Sequence, residues 1–277
     1  MANTDPFRRT GKRALVVGGA TGMGAAAARR VAAQGGQVIV MDRAPIEYEV
    51  DQAIQLDLSD PASIDAALGE LDGPVDAVFS AAGIADGPPL MRINFIGHRY
   101  LLDQARSRGL LGRGSAICFI SSVAGIGWEG NLETVTEFIE IDDYEKASAW
   151  VDAHPATNNY GFSKQAINTY VARQAYPLIA EGIRINAICP GPTETPLAQA
   201  NAELWLTFAQ DYRDATGLEA HTPEQMGNAM VFLNSDAASG ISGVNLLVDS
   251  GHVMASTSGS WEAGKPLMDL LKGLTFS

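Results

Sequence analysis

Apolar residues in this chain gather into short runs, separated by polar stretches rich in glycine, proline and acids. Ala14-Leu15-Val16-Val17, within residues 12–18, is unbroken and fits a parallel strand buried on both faces. Similar runs predict strands over 37–41, 53–56, 75–79, 115–120, 183–189 and 245–248. Between them, helical spacing predicts helices over 25–33, 61–70, 91–108, 158–180 and 223–233, with two more over 134–139 and 143–153. Strands alternating with helices mean a doubly wound α/β fold: a parallel sheet of about seven strands with helices on both faces. No repeat or linker divides it, so residues 1–277 are expected to form one domain. Ligands of such sheets bind at the carboxyl ends of the strands.

The first of those ends carries a glycine turn, Gly18-Gly19-Ala20-Thr21-Gly22-Met23-Gly24, followed by an alanine-rich helix. The second strand ends on Asp42. Strand, glycine turn, helix, strand and acid is the order of a dinucleotide-binding unit. Glycines let the backbone approach a pyrophosphate, and the helix N-terminus favours its charge. Gly18, Thr21, Gly22, Met23 and Gly24 are the expected contacts. The Asp42 carboxylate would accept hydrogen bonds from adenosine ribose hydroxyls and repel a 2′-phosphate, favouring NAD over NADP. Arg43 is the counter-signal, because an arginine there pairs with that phosphate.

Tyr160 and Lys164 stand four residues apart in the long helix, one turn apart on one face. A free phenol titrates near ~10, and a nearby cation favours the phenolate. Reaching about 7 needs roughly 4 kcal/mol of differential stabilisation, which Lys164 and a cationic cofactor together are expected to supply. Alone, this spacing occurs by chance on many amphipathic helices.

The spacing Gly-x-x-x-Gly-x-Gly together with Tyr-x-x-x-Lys resembles the short-chain dehydrogenase/reductase family, from Lys12 to Gly251. The resemblance implies a Rossmann fold and an NAD(H)-dependent oxidoreductase interconverting a secondary alcohol and a ketone. Tyr160 would act as acid/base, with Lys164 lowering its pKa and binding the nicotinamide ribose. Ser122 matches the serine that holds the substrate oxygen, with Ser121 as runner-up one residue away. Asn94 matches the asparagine that holds a water on a proton path to the lysine. Asp57, with Leu58 beside it, matches an acid that contacts adenine; from the residues alone it reads equally as a helix N-terminal acid. At the end of the fourth strand the family usually has Asn-Asn-Ala-Gly, where this chain has Ser80-Ala81-Ala82-Gly83. Ala81, Ala82 and Gly83 still allow close approach of a cofactor, without the asparagine side chains. Pro190, Gly191, Thr193 and Thr195 would hold the nicotinamide carboxamide, and Trp128, Pro192 and Leu197 would wall the substrate beside Ser122 and Tyr160.

Two departures narrow the resemblance. An extra, partly helical segment of about 128–156 separates Ser122 from Tyr160, and the stretch between Gly83 and Asn94 is short. With Gly127-Trp128 and Pro192-Thr193-Glu194-Thr195-Pro196, these features resemble the bacterial 3α-hydroxysteroid dehydrogenase/carbonyl reductase branch and its coniferyl-alcohol dehydrogenase-like relatives. Two other functions use the same residues: reduction of an imine or hemiaminal in a reactive natural product, and NAD sensing without catalysis.

Composition removes several alternatives. A net charge of −13 opposes binding to nucleic acid or anionic membranes. No apolar run approaches a membrane span, residues 1–13 hold no leader-like apolar stretch, and Cys118 and Cys189 read as buried thiols, so a cytoplasmic location is expected. The four histidines are scattered, and no metal is expected. The segment of about 252–277 exceeds what the fold needs. Its Leu267, Met268, Leu270, Leu271, Leu274 and Phe276 would be exposed unless packed on a partner or on the cleft, which with the 128–156 segment predicts a homodimer or homotetramer.

Overall fold

The computed structural model describes residues 5–273, the side chain of Leu204 aside. Seven parallel strands form one sheet: β1 (Arg13–Val17), β2 (Gln37–Asp42), β3 (Gln52–Gln55), β4 (Ala77–Ser80), β5 (Ala116–Ile120), β6 (Arg184–Pro190) and β7 (Asn245–Val248). Their spatial order is β3-β2-β1-β4-β5-β6-β7. The winding reverses between β1 and β4, which opens a crevice at their carboxyl ends. Side chains alternate across the sheet. Ala14 and Val16 join Val38, Val40 and Phe79 in one core, while Leu15 and Val17 join Ile39, Met41 and Phe119 in the other.

The helices are α1 (Gly22–Ala33), α2 (Pro61–Gly69), α3 (Gly97–Ser107), α4 (Leu132–Ile139), α5 (Tyr144–Ala153), α6 (Tyr160–Glu181), α7 (Pro196–Gln199), α8 (Ala202–Trp205), α9 (Gln210–Thr216), α10 (Pro223–Leu233), α11 (His252–Ser258) and α12 (Lys265–Gly273). Helices α1 and α10 supply Ala27, Val31, Met226 and Met230 to the first core. Helices α2, α3 and α6 supply Ile64, Leu101 and Ala166 to the second. A π-helical turn, Arg92–Ile96, precedes α3 where one continuous helix was expected. The short helices α7 to α9, and α11, were not anticipated, because one or two turns carry too little apolar periodicity to read.

The segment between Ser122 and Tyr160 forms α4 and α5, and α4 lies on α6. Phe138 is fully buried, its ring 5.5, 5.1 and 5.7 Å from those of Phe95, Trp150 and Phe162. Arg99 of α3 donates to the Ile141 carbonyl, and Arg173 of α6 pairs with Glu140. The segment therefore covers the α3–α6 face. In the tail, α12 buries Met268 against Val123 and Val253, with Leu267 and Leu271 joining them and Leu270 left exposed. Leu274 and Phe276 lie outside the described residues. Much of the apolar surface expected to seek a partner is thus covered within the chain, because α6 and the loop after β5 offer it complementary apolar faces.

Candidate active site

The glycine turn holds its shape for two distinct reasons. A Cβ on Gly18 would lie 2.2 Å from the Ala82 nitrogen, and one on Gly24 would lie 2.1 Å from the Gly18 oxygen. Both positions serve contact of backbone with backbone. Gly22 has φ +57° and opens on the cleft, its nearest neighbour being the Thr195 methyl at 3.4 Å. It leaves room for a ligand to approach the N-terminus of α1. Tyr48 donates to the Gly19 carbonyl, and the Arg29 guanidinium lies 4.4 Å above the Tyr48 ring, a brace absent from the sequence reading. Asp42 accepts from the Ala20 and Ala44 amides at 2.8 and 2.9 Å, which fixes its carboxylate at the cleft; Arg43 is exposed on the rim.

Gly18, Thr21, Gly22, Met23, Gly24, Asp42, Arg43, Asp57, Leu58, Ala81, Ala82, Gly83, Thr195 and Leu197 meet around this one cleft. Ile84 and Ile93, which flank Asn94, also line it and were missed. Asp57 Oδ1 accepts from the amide and hydroxyl of Ser59, which holds its carboxyl below the usual range; Asp60, not Asp57, caps α2. Pro190, Gly191, Pro192 and Thr193 lie outside this lining, as do Asn94, Ser122, Trp128, Tyr160 and Lys164. Pro190 ends β6 beside Val248, Gly191 packs on Asp249, and Thr193 Oγ1 donates to the Gly191 carbonyl at 2.9 Å. His221 tethers this loop. Its Nδ1–H donates to the Pro192 carbonyl at 3.1 Å, and its Nε2 shares a hydrogen bond with Ser250 Oγ at 2.9 Å.

Backbone amides and a histidine hold the loop after β4. The Ala81 and Ala82 amides donate to the Val17 carbonyl, and buried His98 donates Nε2–H to the Ala82 carbonyl at 3.0 Å. Burial pushes that imidazole down to about 4, so it is neutral at physiological pH. Asn94, in the π-helical turn, accepts from the Ile84 amide at 2.8 Å and donates to the Ile84 carbonyl and Ser163 Oγ at 3.0 and 3.2 Å. It ties the loop after β4 to α6.

Tyr160 begins α6, behind the cap formed by the Asn159 side chain on the Phe162 amide. Ser122, just past β5, lies beside the phenol and accepts from the Ala124 amide at 3.1 Å. Ser121 turns away and donates to the Lys164 carbonyl at 3.2 Å. Buried Lys164 donates to the Ile120 carbonyl at 2.9 Å, with Nζ 5.2 Å from the centre of the Tyr160 ring. Partial burial pushes the phenol up to about 12, with neighbouring Ser122 opposing, and full burial pushes the lysine down to about 8. Desolvation therefore outweighs the acidifying effect expected of Lys164, whose ammonium is aimed at a carbonyl. Trp128 opens a short 3-10 turn ahead of α4. The ring found against Tyr160 is that of Trp205, in α8, with centroids 4.7 Å apart and planes tilted by 45°. Trp205 stands in a helix of four residues, too short for periodicity to mark this contact.

Two family models match the chain: the NAD dependent epimerase/dehydratase family over residues 14–191, and Enoyl-(Acyl carrier protein) reductase over 147–252. Coniferyl-alcohol dehydrogenase of Pseudomonas sp. (strain HR199 / DSM 7063) is 29% identical, over 90% of this chain and 98% of its own. The 3-alpha-hydroxysteroid dehydrogenase/carbonyl reductase of Comamonas testosteroni is 28% identical, over 86% and 95%. The structure of 3-alpha-hydroxysteroid dehydrogenase from Pseudomonas sp. B-0831 complexed with NADH is similar at TM-score 0.70 and 26% identity, over 90% of this chain and 99% of that one. Fold, cleft and matches together define an oxidoreductase with a nicotinamide cofactor. The open face of Gly22 and the carboxylate fixed at the end of β2 fit such a group. The chain belongs to the short-chain dehydrogenase/reductase family. Among the described residues no helix is long and apolar enough to cross a membrane.

Proposed function

We propose that this enzyme interconverts a secondary alcohol and a ketone with NAD(H), using Tyr160 as acid/base. The observation that carries the reading is the convergence of Ser122, Tyr160 and Lys164 at the end of β5, with the glycine-lined cleft at the neighbouring strand ends. Ser122 Oγ orients the substrate oxygen beside the phenol. In oxidation the Tyr160 phenolate takes the hydroxyl proton; in reduction the phenol returns it. A bound nicotinamide supplies the hydride acceptor or donor and, when oxidised, a positive charge. Moving the phenol from about 12 to about 7 takes roughly 7 kcal/mol, which Lys164 and the oxidised cofactor together would supply. Lys164 would also hold the nicotinamide ribose. Asn94 holds the loop beside which a water-borne proton path reaches Lys164.

Asp42, fixed by two backbone amides, places negative charge where a 2′-phosphate would sit, which supports NAD(H) over NADP(H). The names of the relatives support an alcohol or ketone substrate. We read the enzyme as a homodimer or homotetramer. Tyr176, Ile179 and Val244, exposed where α6 meets the free edge of β7, support that reading; a monomer by sedimentation at micromolar concentration would refute it. The reaction is tested by turnover of a panel of alcohols, ketones and imines with each cofactor. Ketone reduction with higher kcat/KM for NADH is expected. Turnover of imines alone, or preference for NADPH, overturns the corresponding part.

A further inference from the structure

Residues 196–216 fold over the candidate site as three short helices, and one guanidinium organises the last two. Arg213, buried, donates to the carbonyls of Leu206 and Phe208 and to Gln210 Oε1. Ala209 joins α8 to α9 in the left-handed region, at φ 56°, a conformation that a non-glycine residue adopts only when its surroundings impose it. Phe208 packs into the apolar cluster of Val123, Val253 and Met268, beside the Ser122 loop and under α12. The turn is thus anchored at Phe208 and stapled by Arg213, and it presents Trp205 to Tyr160. The two rings are tilted by 45° rather than stacked face to face. A carbonyl reaching the phenol brings its substituents beside the indole.

We propose, resting on the acid/base reading of Tyr160, that Trp205 determines specificity by taking a flat ring of the substrate, attached at the reacting carbon, against its indole. An offset or tilted ring recovers the aromatic contact that Trp205 makes with Tyr160; a linear alkyl chain fills the volume without that contact. Aromatic pairing of this kind corresponds to roughly 2- to 10-fold in affinity.

The test uses binding, so that it does not depend on turnover. In full-length Tyr160→Phe enzyme saturated with NADH, calorimetry gives Kd for acetophenone and for 2-octanone, ketones of equal carbon number. Adding Trp205→Ala is expected to weaken acetophenone relative to 2-octanone by roughly 2- to 10-fold, and Trp205→Phe to restore most of the difference. Equal weakening of both ketones, no change in their ratio, or binding of neither overturns the proposal. Failure of the acid/base reading shows up separately, as near-normal turnover by the Tyr160→Phe enzyme, and leaves the ratio of dissociation constants unaffected.

Discussion

Replacing Lys164 by Met removes an ammonium that is 4% exposed and whose pKa falls from 10.5 to about 8 on folding. That drop corresponds to about 3 kcal/mol weighing against the folded state while both states are charged. Below about 8 the full cost is present. As pH rises from about 8 toward 10.5 the folded chain releases its proton before the unfolded chain does, and the cost fades. The substitution also leaves the Ile120 carbonyl without its donor, a loss of about 1–3 kcal/mol that does not depend on pH. Lys164→Met is therefore near neutral or stabilising at pH 6.5. Relative to wild type it loses about 2 kcal/mol between pH 6.5 and 9.5. Cys118, Cys189 and Tyr160, all pushed up by burial, titrate in both proteins and largely cancel in the difference. Urea unfolding followed by circular dichroism, without cofactor, at pH 6.5, 8.0 and 9.5 measures it. Two stability curves that run parallel across that range would show that Lys164 is not held near 8, and the electrostatic account of the site would fail.

Tyr160→Phe should lower kcat by at least ~10²-fold with little change in the Kd for NADH, read by single-turnover and fluorescence titration; retained activity removes the residue from the chemistry. Phe138→Ala, at a fully buried ring under the α4–α5 segment, should cost about 3–5 kcal/mol in urea unfolding, whereas a loss under 1 kcal/mol would mean the segment is not core. Gly24→Ala places a methyl 2.1 Å from the Gly18 oxygen and should abolish NADH binding by calorimetry. His221→Ala frees the loop carrying Thr195 and should raise the Kd for NADH severalfold; an unchanged value would make the tether incidental.

The alternation of elements, the glycine turn, Asp42 and the Tyr160–Lys164 pair were legible because each depends on short-range pattern. A buried parallel strand needs a continuous apolar run, and a helix repeats every three to four residues, so the central strands β1, β2, β4, β5 and β6 and the long α6 announce themselves. Spacing along α6 puts Tyr160 and Lys164 on one face whatever surrounds them. What surrounds them was decided by long-range contact. Which serine meets the phenol depends on how β5 ends against α6, and a shift of one residue exchanges Ser121 and Ser122. The ionisation of Tyr160 and Lys164 depends on how far the folded chain excludes water, and there desolvation outweighs the charge pairing suggested by the spacing. Asn94 turns inward through a π-helical turn that no periodicity marks. His98 and His221 looked like scattered histidines until the fold brought each to a backbone carbonyl, at Ala82 and Pro192. Trp205 lies in a helix of one turn, too short to show a face, and reaches Tyr160 because Arg213 and Phe208 hold its turn from opposite sides. Local pattern sets which elements form and which reactive groups they carry. The packing of distant segments sets which group touches which, how much water remains between them, and so which protons can move.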